Sequence, residues 1–254
     1  MNVQMANITA RLDYLGLTVL SNSLESFLSD PARKDETLVE SLHALLDIEY
    51  CLRKERSART RIKVSGMPSM KRLDDYDLAW IKGGLSAAKL KELSTLAFIE
   101  RKENVILLGP SGLGKTHLML ALGHHACMNG YTAYHMSCRD AVDALKRADD
   151  AGRLKRKLKW LTKPHVLLLD EVGYESLSPE QASMLFQLIN ARYEHGSIIV
   201  TSNKTFGKWA ELMSDEAVAT AMLDRLLHHA HVLSLKGDSY RMKDRIKVGA
   251  VNFE

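Results

Sequence analysis

The chain has 254 residues, 46% hydrophobic and 26% charged, which is enough for one large domain with a smaller companion and a sizeable core. Lys and Arg number 35 against 31 Asp and Glu, a net charge of only +4, so any attraction to a polyanion must come from local clustering. Three cysteines, Cys51, Cys127 and Cys138, form no C-x-x-C pair, which argues against a disulfide framework and for a reduced, cytoplasmic chain.

The opening "MNVQMANITARLDYLG" lacks a basic segment followed by an apolar one, so no secretory signal is expected. No run of about 18 apolar residues predicts a membrane span. From residue 5 to residue 63 the pattern is helical: Ile8, Leu12, Leu15 and Val19 recur at helical spacing, then Leu38, Leu42, Leu45, Ile48 and Leu52. Asp30-Pro31 separates the two sets, because proline restricts its predecessor. "VSGMPSMKR", Val64 to Arg72, has the Gly and Pro of a linker. The expected division is a helical N-terminal domain over residues 1–63, a linker over 64–72 and a second domain over 73–254.

Past another helical pattern, Leu85 to Glu100, the rhythm changes. "NVILLG" (Asn104 to Gly109), "YTAYHM" (Tyr131 to Met136), "HVLLLD" (His165 to Asp170), "SIIVTSN" (Ser197 to Asn203) and "HVLSL" (His231 to Leu235) are short apolar runs with helical stretches between them. Alternating strands and helices predict an α/β fold around a five-stranded parallel sheet covered on both faces.

Between the first strand and its helix lies "GPSGLGKTH": Gly109, Pro110, Ser111, Gly112, Leu113, Gly114, Lys115, Thr116 and His117. It fits G-x-x-x-x-G-K-[ST] in the strand–loop–helix setting that the motif requires. Glycines let backbone N–H groups turn toward phosphates, and the helix N-terminus adds partial positive charge. Lys115 is expected to reach the β- and γ-phosphates, and the Thr116 hydroxyl to bind Mg²⁺. Asp170 ends the third strand, where open α/β sheets bind ligands, and is expected to hold Mg²⁺ or its waters. Glu171 is expected to polarise the attacking water. Asn203 follows the fourth strand, placed either to hold that water or to touch the γ-phosphate; as a plain turn residue it would also be in character. An acid and an amide beside the loop suit hydrolysis, which a small-molecule kinase must avoid. "NKTF" at Asn203 lacks the aspartate of a guanine-reading N-K-x-D, so ATP is expected over GTP.

With these motifs in place, the chain resembles the AAA+ ATPases. Within them it is similar to the IstB-type ATP-binding helpers of insertion-sequence transposition, with DnaC-type helicase loaders next. The resemblance covers nearly the whole chain and rests most on "LLLDEVGYESLS" and "MLDRLLHHAHVLSLKGDSYR". It implies that Arg225 acts as an arginine finger in a neighbouring subunit's site and that Arg241 senses nucleotide. It implies a homo-oligomer, a ring or a helical filament, and a transposase partner. Only 19 residues follow Leu235, too few for the full helical lid that many AAA+ proteins carry, so neighbouring subunits and the N-terminal region would help enclose the nucleotide. Tyr76, in "LDDYDL", is then placed to pack near the adenine.

Two basic runs point to nucleic acid. Arg53, Lys54, Arg56, Arg59, Arg61, Lys63, Lys71 and Arg72 are opposed only by Glu55, and Lys146, Arg147, Arg153, Lys155, Arg156, Lys157, Lys159 and Lys163 only by Asp149 and Asp150. A single run suits a solvated face; two runs, repeated in an oligomer, suit sequence-tolerant binding of duplex DNA through phosphates. "HHAC" (His124 to Cys127), "HMSC" (His135 to Cys138) and His228, His229 and His231 lack paired-ligand spacing, so no metal is expected at them.

Overall fold

The computed structural model describes residues 3–213, 215–237 and 239, which fall into two compact units, Met1–Thr60 and Arg61–Glu254. None of the described helices is long and apolar enough to cross a membrane.

The first unit is helical. Helix α1 covers Val3–Tyr14, α2 covers Thr18–Leu28, and α3 covers Leu38–Val64, passing the boundary between the units. At Asp30-Pro31 the chain makes a short 3₁₀ turn, with the Asp30 carboxylate accepting from Ala32 N–H at 3.0 Å. "TLVE" then starts α3 with a reciprocal cap: Thr37 N–H donates to Glu40 Oε2 at 2.8 Å and Glu40 N–H to Thr37 Oγ1 at 3.3 Å. Leu20, Leu24, Phe27 and Leu45 make a small core.

Beside that core sits Glu49, only 4% exposed. Its carboxylate accepts from the N–H groups of Val19 and Leu20 at 3.1 Å each, in the first turn of α2, and pairs with Arg53 Nε at 2.9 Å. Burial pushes the Glu49 carboxyl up, but the Leu20 N–H, the Arg53 guanidinium and the Val19 N–H outweigh it and hold it below its ordinary value of 4.5. A carboxyl lowered by the fold stabilises it above the unfolded-state pKa, and that contribution is lost as pH falls through the folded value. Glu49→Gln is expected to cost this unit about 1–3 kcal/mol at neutral pH. The difference from wild type should shrink as pH falls below the ordinary carboxylate range and the native carboxyl also protonates. Urea titrations at both pH values check this.

In the second unit, strand β1 (Ile81–Gly83) and helices α4 (Ala87–Ser94) and α5 (Ala97–Glu100) precede β2 (Asn104–Leu108). Then follow α6 (Lys115–Met128), β3 (Ala133–Ser137), α7 (Cys138–Asp150), α8 (Leu154–Leu161), β4 (Val166–Asp170), α9 (Pro179–Arg192) and β5 (Ser197–Ser202). The described part closes with α10 (Trp209–Leu212), α11 (Glu216–Leu227), β6 (Ala230–Ser234) and β7 (Lys236–Gly237).

The five predicted strands are present within a residue or two, as one parallel sheet in the order β3-β4-β5-β2-β6. Every residue of β2, β4 and β5 is buried, as continuous apolar runs demand when helices cover both faces. Ile106, Leu167, Leu169 and Val200 face a core made with α7, α9 and α11, whereas Val105, Leu107, Leu168 and Ile199 face one made with α5 and α6. The two-residue alternation of strand side chains divides the faces.

Two local readings change. The helical pattern from Leu85 to Glu100 is broken at Leu96, whose φ of 60° ends one helix and starts another. The segment read as a linker is laid along the second unit. Met67 packs against its core and His135 N–H donates to the Ser65 carbonyl at 2.7 Å; just before the segment, at the end of α3, Ile62 joins the same core and Arg61 Nε donates to the Cys127 carbonyl at 2.8 Å. An unpredicted antiparallel pair joins β1 to β7. The part of the chain where a lid was expected to be missing lies, apart from Lys236, Gly237 and Ser239, outside the described residues, as does Arg241.

Candidate functional site

Strand order builds the site. β5 lies between β2, which leads into the phosphate loop, and β4, which ends in Asp170. Gly109, Glu171 and Asn203 therefore follow the ends of three adjacent parallel strands on one edge of the sheet.

The loop turns sharply at Gly109, φ 140°, where a Cβ would lie 2.5 Å from the Leu235 carbonyl oxygen. Lys115 opens α6, and its ammonium lies across the loop, donating to the carbonyls of Gly109 at 2.6 Å and Pro110 at 2.7 Å. Leu113 points its side chain into the core and can offer a ligand only its backbone. Pro110 and Ser111 are exposed on the rim.

Asp170 is 7% exposed. Thr116 Oγ1 donates to Asp170 Oδ1 at 3.1 Å, the Thr201 hydroxyl donates to the same oxygen, and His135 Nε2 lies 3.9 Å from Oδ2. Burial pushes the Asp170 carboxyl up, and the nearby His135 ring with the hydroxyls of Thr201 and Thr116 more than offsets it, so its pKa lies below the usual carboxylate value. A carboxylate held in its ionised form beside a hydroxyl is a hard oxygen pair of the sort that holds Mg²⁺. Glu171 is exposed at the strand end with φ 61°, the left-handed region that side chains other than Gly seldom adopt. Its N–H donates to Thr201 Oγ1 at 2.9 Å. The buried Oδ1 of Asn203 has no hydrogen-bond partner. An orphan acceptor at the strand edge fits a role in holding water or a hydroxyl donor.

Sequence reasoning missed Thr201 and His135. The available signal was a polar residue inside an otherwise apolar strand, in "IIVTS" and "YTAYHM". His117, read as part of the loop, turns away from it. Its ring meets Tyr76 edge-on at 5.5 Å between centroids, and burial lowers its pKa. Tyr76 lies against Gly114, its hydroxyl donates to the Leu113 carbonyl at 3.4 Å, and burial pushes its pKa up to about 12. Tyr76, His117, Trp80 and Ile81 line a small cleft beside the loop.

Arg225 sits near the other edge of the sheet. It lies in the last turn of α11, whose successor β6 begins at Ala230, in register with Asn104 at the start of β2. Its Nε donates to Asn190 Oδ1 at 2.7 Å, and its guanidinium lies 4.9 Å from the centre of the Phe186 ring. From Asn104 to the loop the strand spans roughly 16 Å. Arg225 is thus well separated from its own chain's loop.

Of the basic runs, Arg53 is tied to Glu49 and to the Gly16 carbonyl, and Arg61 to Cys127. These two serve the fold. Arg59 pairs with Glu55 at 2.6 Å on the surface. Lys54, Arg56 and Lys63 are exposed. Arg153, Arg156, Lys157 and Lys159 line an open cleft with Trp160, over which Lys157 Nζ lies at 4.6 Å from the ring centre; Lys155 is exposed outside it.

A phosphate loop and a strand-end acid across an intervening strand, all on a five-stranded parallel sheet preceded by helices, define an AAA+ ATP-binding protein. Solved structures share this fold. The replication initiator DnaA bound to AMPPCP and single-stranded DNA aligns with TM-score 0.56 and 21% identity over 74% of this chain. This chain spans 58% of the DnaA chain. The DnaC helicase loader aligns with TM-score 0.51 and 23% identity, covering 65% of this chain and 96% of that one. The particular family follows from sequence: the family model "IstB-like ATP binding protein" matches residues 10–248, and the chain belongs to that family. The IS5376 putative ATP-binding protein of Geobacillus stearothermophilus is 47% identical over 206 residues, covering 81% of this chain and 82% of the relative. The IS21 putative ATP-binding protein of Pseudomonas aeruginosa is 42% identical over 247 residues, covering 97% and 93%.

Proposed function

We propose that this protein is a cytoplasmic, DNA-dependent ATPase that assembles on duplex DNA and recruits or activates the transposase of an insertion sequence. The observation that carries the hydrolytic part is the joint placement of Asp170 and Glu171 through one hydroxyl, that of Thr201, beside the phosphate loop. Thr116 and Asp170 would hold Mg²⁺, which when bound supplies charge neutralisation on the phosphates. Lys115 would leave the carbonyls of Gly109 and Pro110 for the phosphate oxygens. Glu171 would take a proton from the attacking water while Asn203 Oδ1 holds it in place. Arg225 of one subunit would stabilise charge at the site of the next, and Arg241 would sense the nucleotide. The cleft at Tyr76 would take the adenine.

Duplex DNA as partner rests on the exposed cations Lys54, Arg56, Arg59 and Lys63 and on the cleft of Arg153, Arg156, Lys157 and Lys159, with Lys155 beside it. Cations without base-reading modules make binding sequence-tolerant and salt-sensitive. The transposase rests on the insertion-sequence relatives. A replicative-helicase loader is the second reading, favoured by the shared fold of the DnaC helicase loader. Duplex binding without any helicase, lost steeply with salt, separates the two.

The test is direct viewing of ATP-dependent assembly on plain duplex DNA. Glu171→Gln should give assemblies that outlast those of the wild type at least tenfold, because water activation is lost while nucleotide binding stays. If neither protein assembles on DNA with ATP, the reading is wrong.

A further inference from the structure

Sequence spacing gave His228 and His229 no ligand partner. The fold supplies one. Among the described residues, Glu194, His228 and His229 each place one potential ligand atom so that all three lie within 4.8 Å of one another. Glu194 belongs to the turn between α9 and β5; the histidines follow α11. All three are exposed, and Glu194 and His229 line the same cleft as Arg225 and Lys102.

A second observation concerns the outer partner. Tyr193 Oη lies 2.8 Å from His228 Nδ1. In the tautomer with Nδ1 protonated, the phenolic oxygen accepts from His228 Nδ1–H, and the lone pair of Nε2 is left for a ligand. Histidines that ligate metals are held in this way, with the second ring N–H given to an oxygen acceptor. Arg225 and Lys102 on the same cleft oppose a cation held by charge alone. Two imidazoles and one carboxylate instead favour a borderline metal over Mg²⁺ or Ca²⁺.

We propose that Glu194, His228 and His229 form a binding site for a divalent transition metal of the Zn²⁺ class, with Tyr193 as the outer partner and water completing the coordination. The site is distinct from the Mg²⁺ position at Thr116 and Asp170, which lies at the other edge of the sheet, and it does not depend on the DNA reading. Arg225 precedes His228 by one turn of the same helix, so a bound metal would fasten that helix end to the α9–β5 turn and restrict the arginine.

The experiment uses the tag-free full-length chain, without nucleotide and with millimolar Mg²⁺ present. Co²⁺ is titrated by its visible absorption, then displaced by Zn²⁺. One equivalent per chain should bind. Glu194→Gln and His228→Gln should each weaken binding at least tenfold, and Tyr193→Phe about tenfold or more. His43→Gln, an exposed histidine elsewhere, should change nothing. Circular dichroism of each variant guards against misfolding. No saturable binding below roughly 100 µM metal, or titrations unchanged in both Glu194→Gln and His228→Gln, would overturn the proposal.

Discussion

Chains carrying Arg225→Ala are expected to hydrolyse ATP at about one-thousandth of the wild-type rate or less, with unchanged nucleotide affinity in the isolated subunit. The magnitude is that of removing a cation from the charge developing on a transferring phosphoryl group. The reason for a subunit-to-subunit effect is geometric. Arg225 precedes a strand whose start pairs with Asn104, and the phosphate loop follows the far end of β2. Along the strand, that is roughly 16 Å. On the proposed role, the arginine serves the site of another chain. Mixing supplies the decisive comparison. Arg225→Ala chains keep an intact loop, and Lys115→Ala chains keep an intact arginine, so interfaces joining the two are competent. Random pairing should restore about a quarter of the sites. A mixture no more active than its components would defeat the shared site.

Arg192→Leu is expected to lower the stability of the second unit by about 3–5 kcal/mol. Arg192 is 1% exposed and ends α9. No carboxylate pairs with it among the described residues. Instead its guanidinium donates to four carbonyls: Leu161 at 2.7 Å, Pro164 at 3.1 Å, His165 at 3.3 Å and Ser197 at 2.8 Å. Burial pulls its pKa down to about 10, still well above neutral, so the group is a cation in the fold. It holds the approach to β4 against the start of β5. Leucine fills part of the space but removes the guanidinium donors; the His165 carbonyl keeps the Ser197 N–H at 3.1 Å, and each acceptor left unmet in the interior costs about 1–3 kcal/mol before relaxation and water. Arg192→Lys, with a compact ammonium in place of the planar fork, should fall between the two. Denaturant titration followed by the fluorescence of Trp209, fully buried in the same core, measures it. A loss below about 1 kcal/mol would show that water or rearrangement satisfies the carbonyls.

How far the sequence reveals this protein varies with the physical signal. Continuous apolar runs located the five parallel strands because buried strands must be apolar on both faces. The phosphate loop was readable because its backbone geometry demands glycine at fixed spacing. Strand order was not readable, and it is the order that sets β5 between the loop and Asp170 and so makes Thr201 a positioning residue. Charge counting treated Arg53 and Arg61 like their neighbours. Their partners, Glu49 and the Cys127 carbonyl, arise from helix packing that a list of charges does not carry. Arg192 gave no sign at all, since an arginine near a helix end usually faces water. The pairing of β1 with β7 escaped notice because three and two residues are too few to show alternation.

Glu171 occupies a left-handed backbone conformation that costs a non-glycine residue on the order of 1 kcal/mol. Glycine or asparagine would adopt it with less strain, so folding opposes the water-activating role proposed for this one position. Under selection for stability alone, the acid would be among the first residues to drift away. If Glu171 activates water as proposed, copies of the chain freed from selection for hydrolysis should shed that power before they lose the fold, leaving a nucleotide-binding scaffold where a catalyst had been.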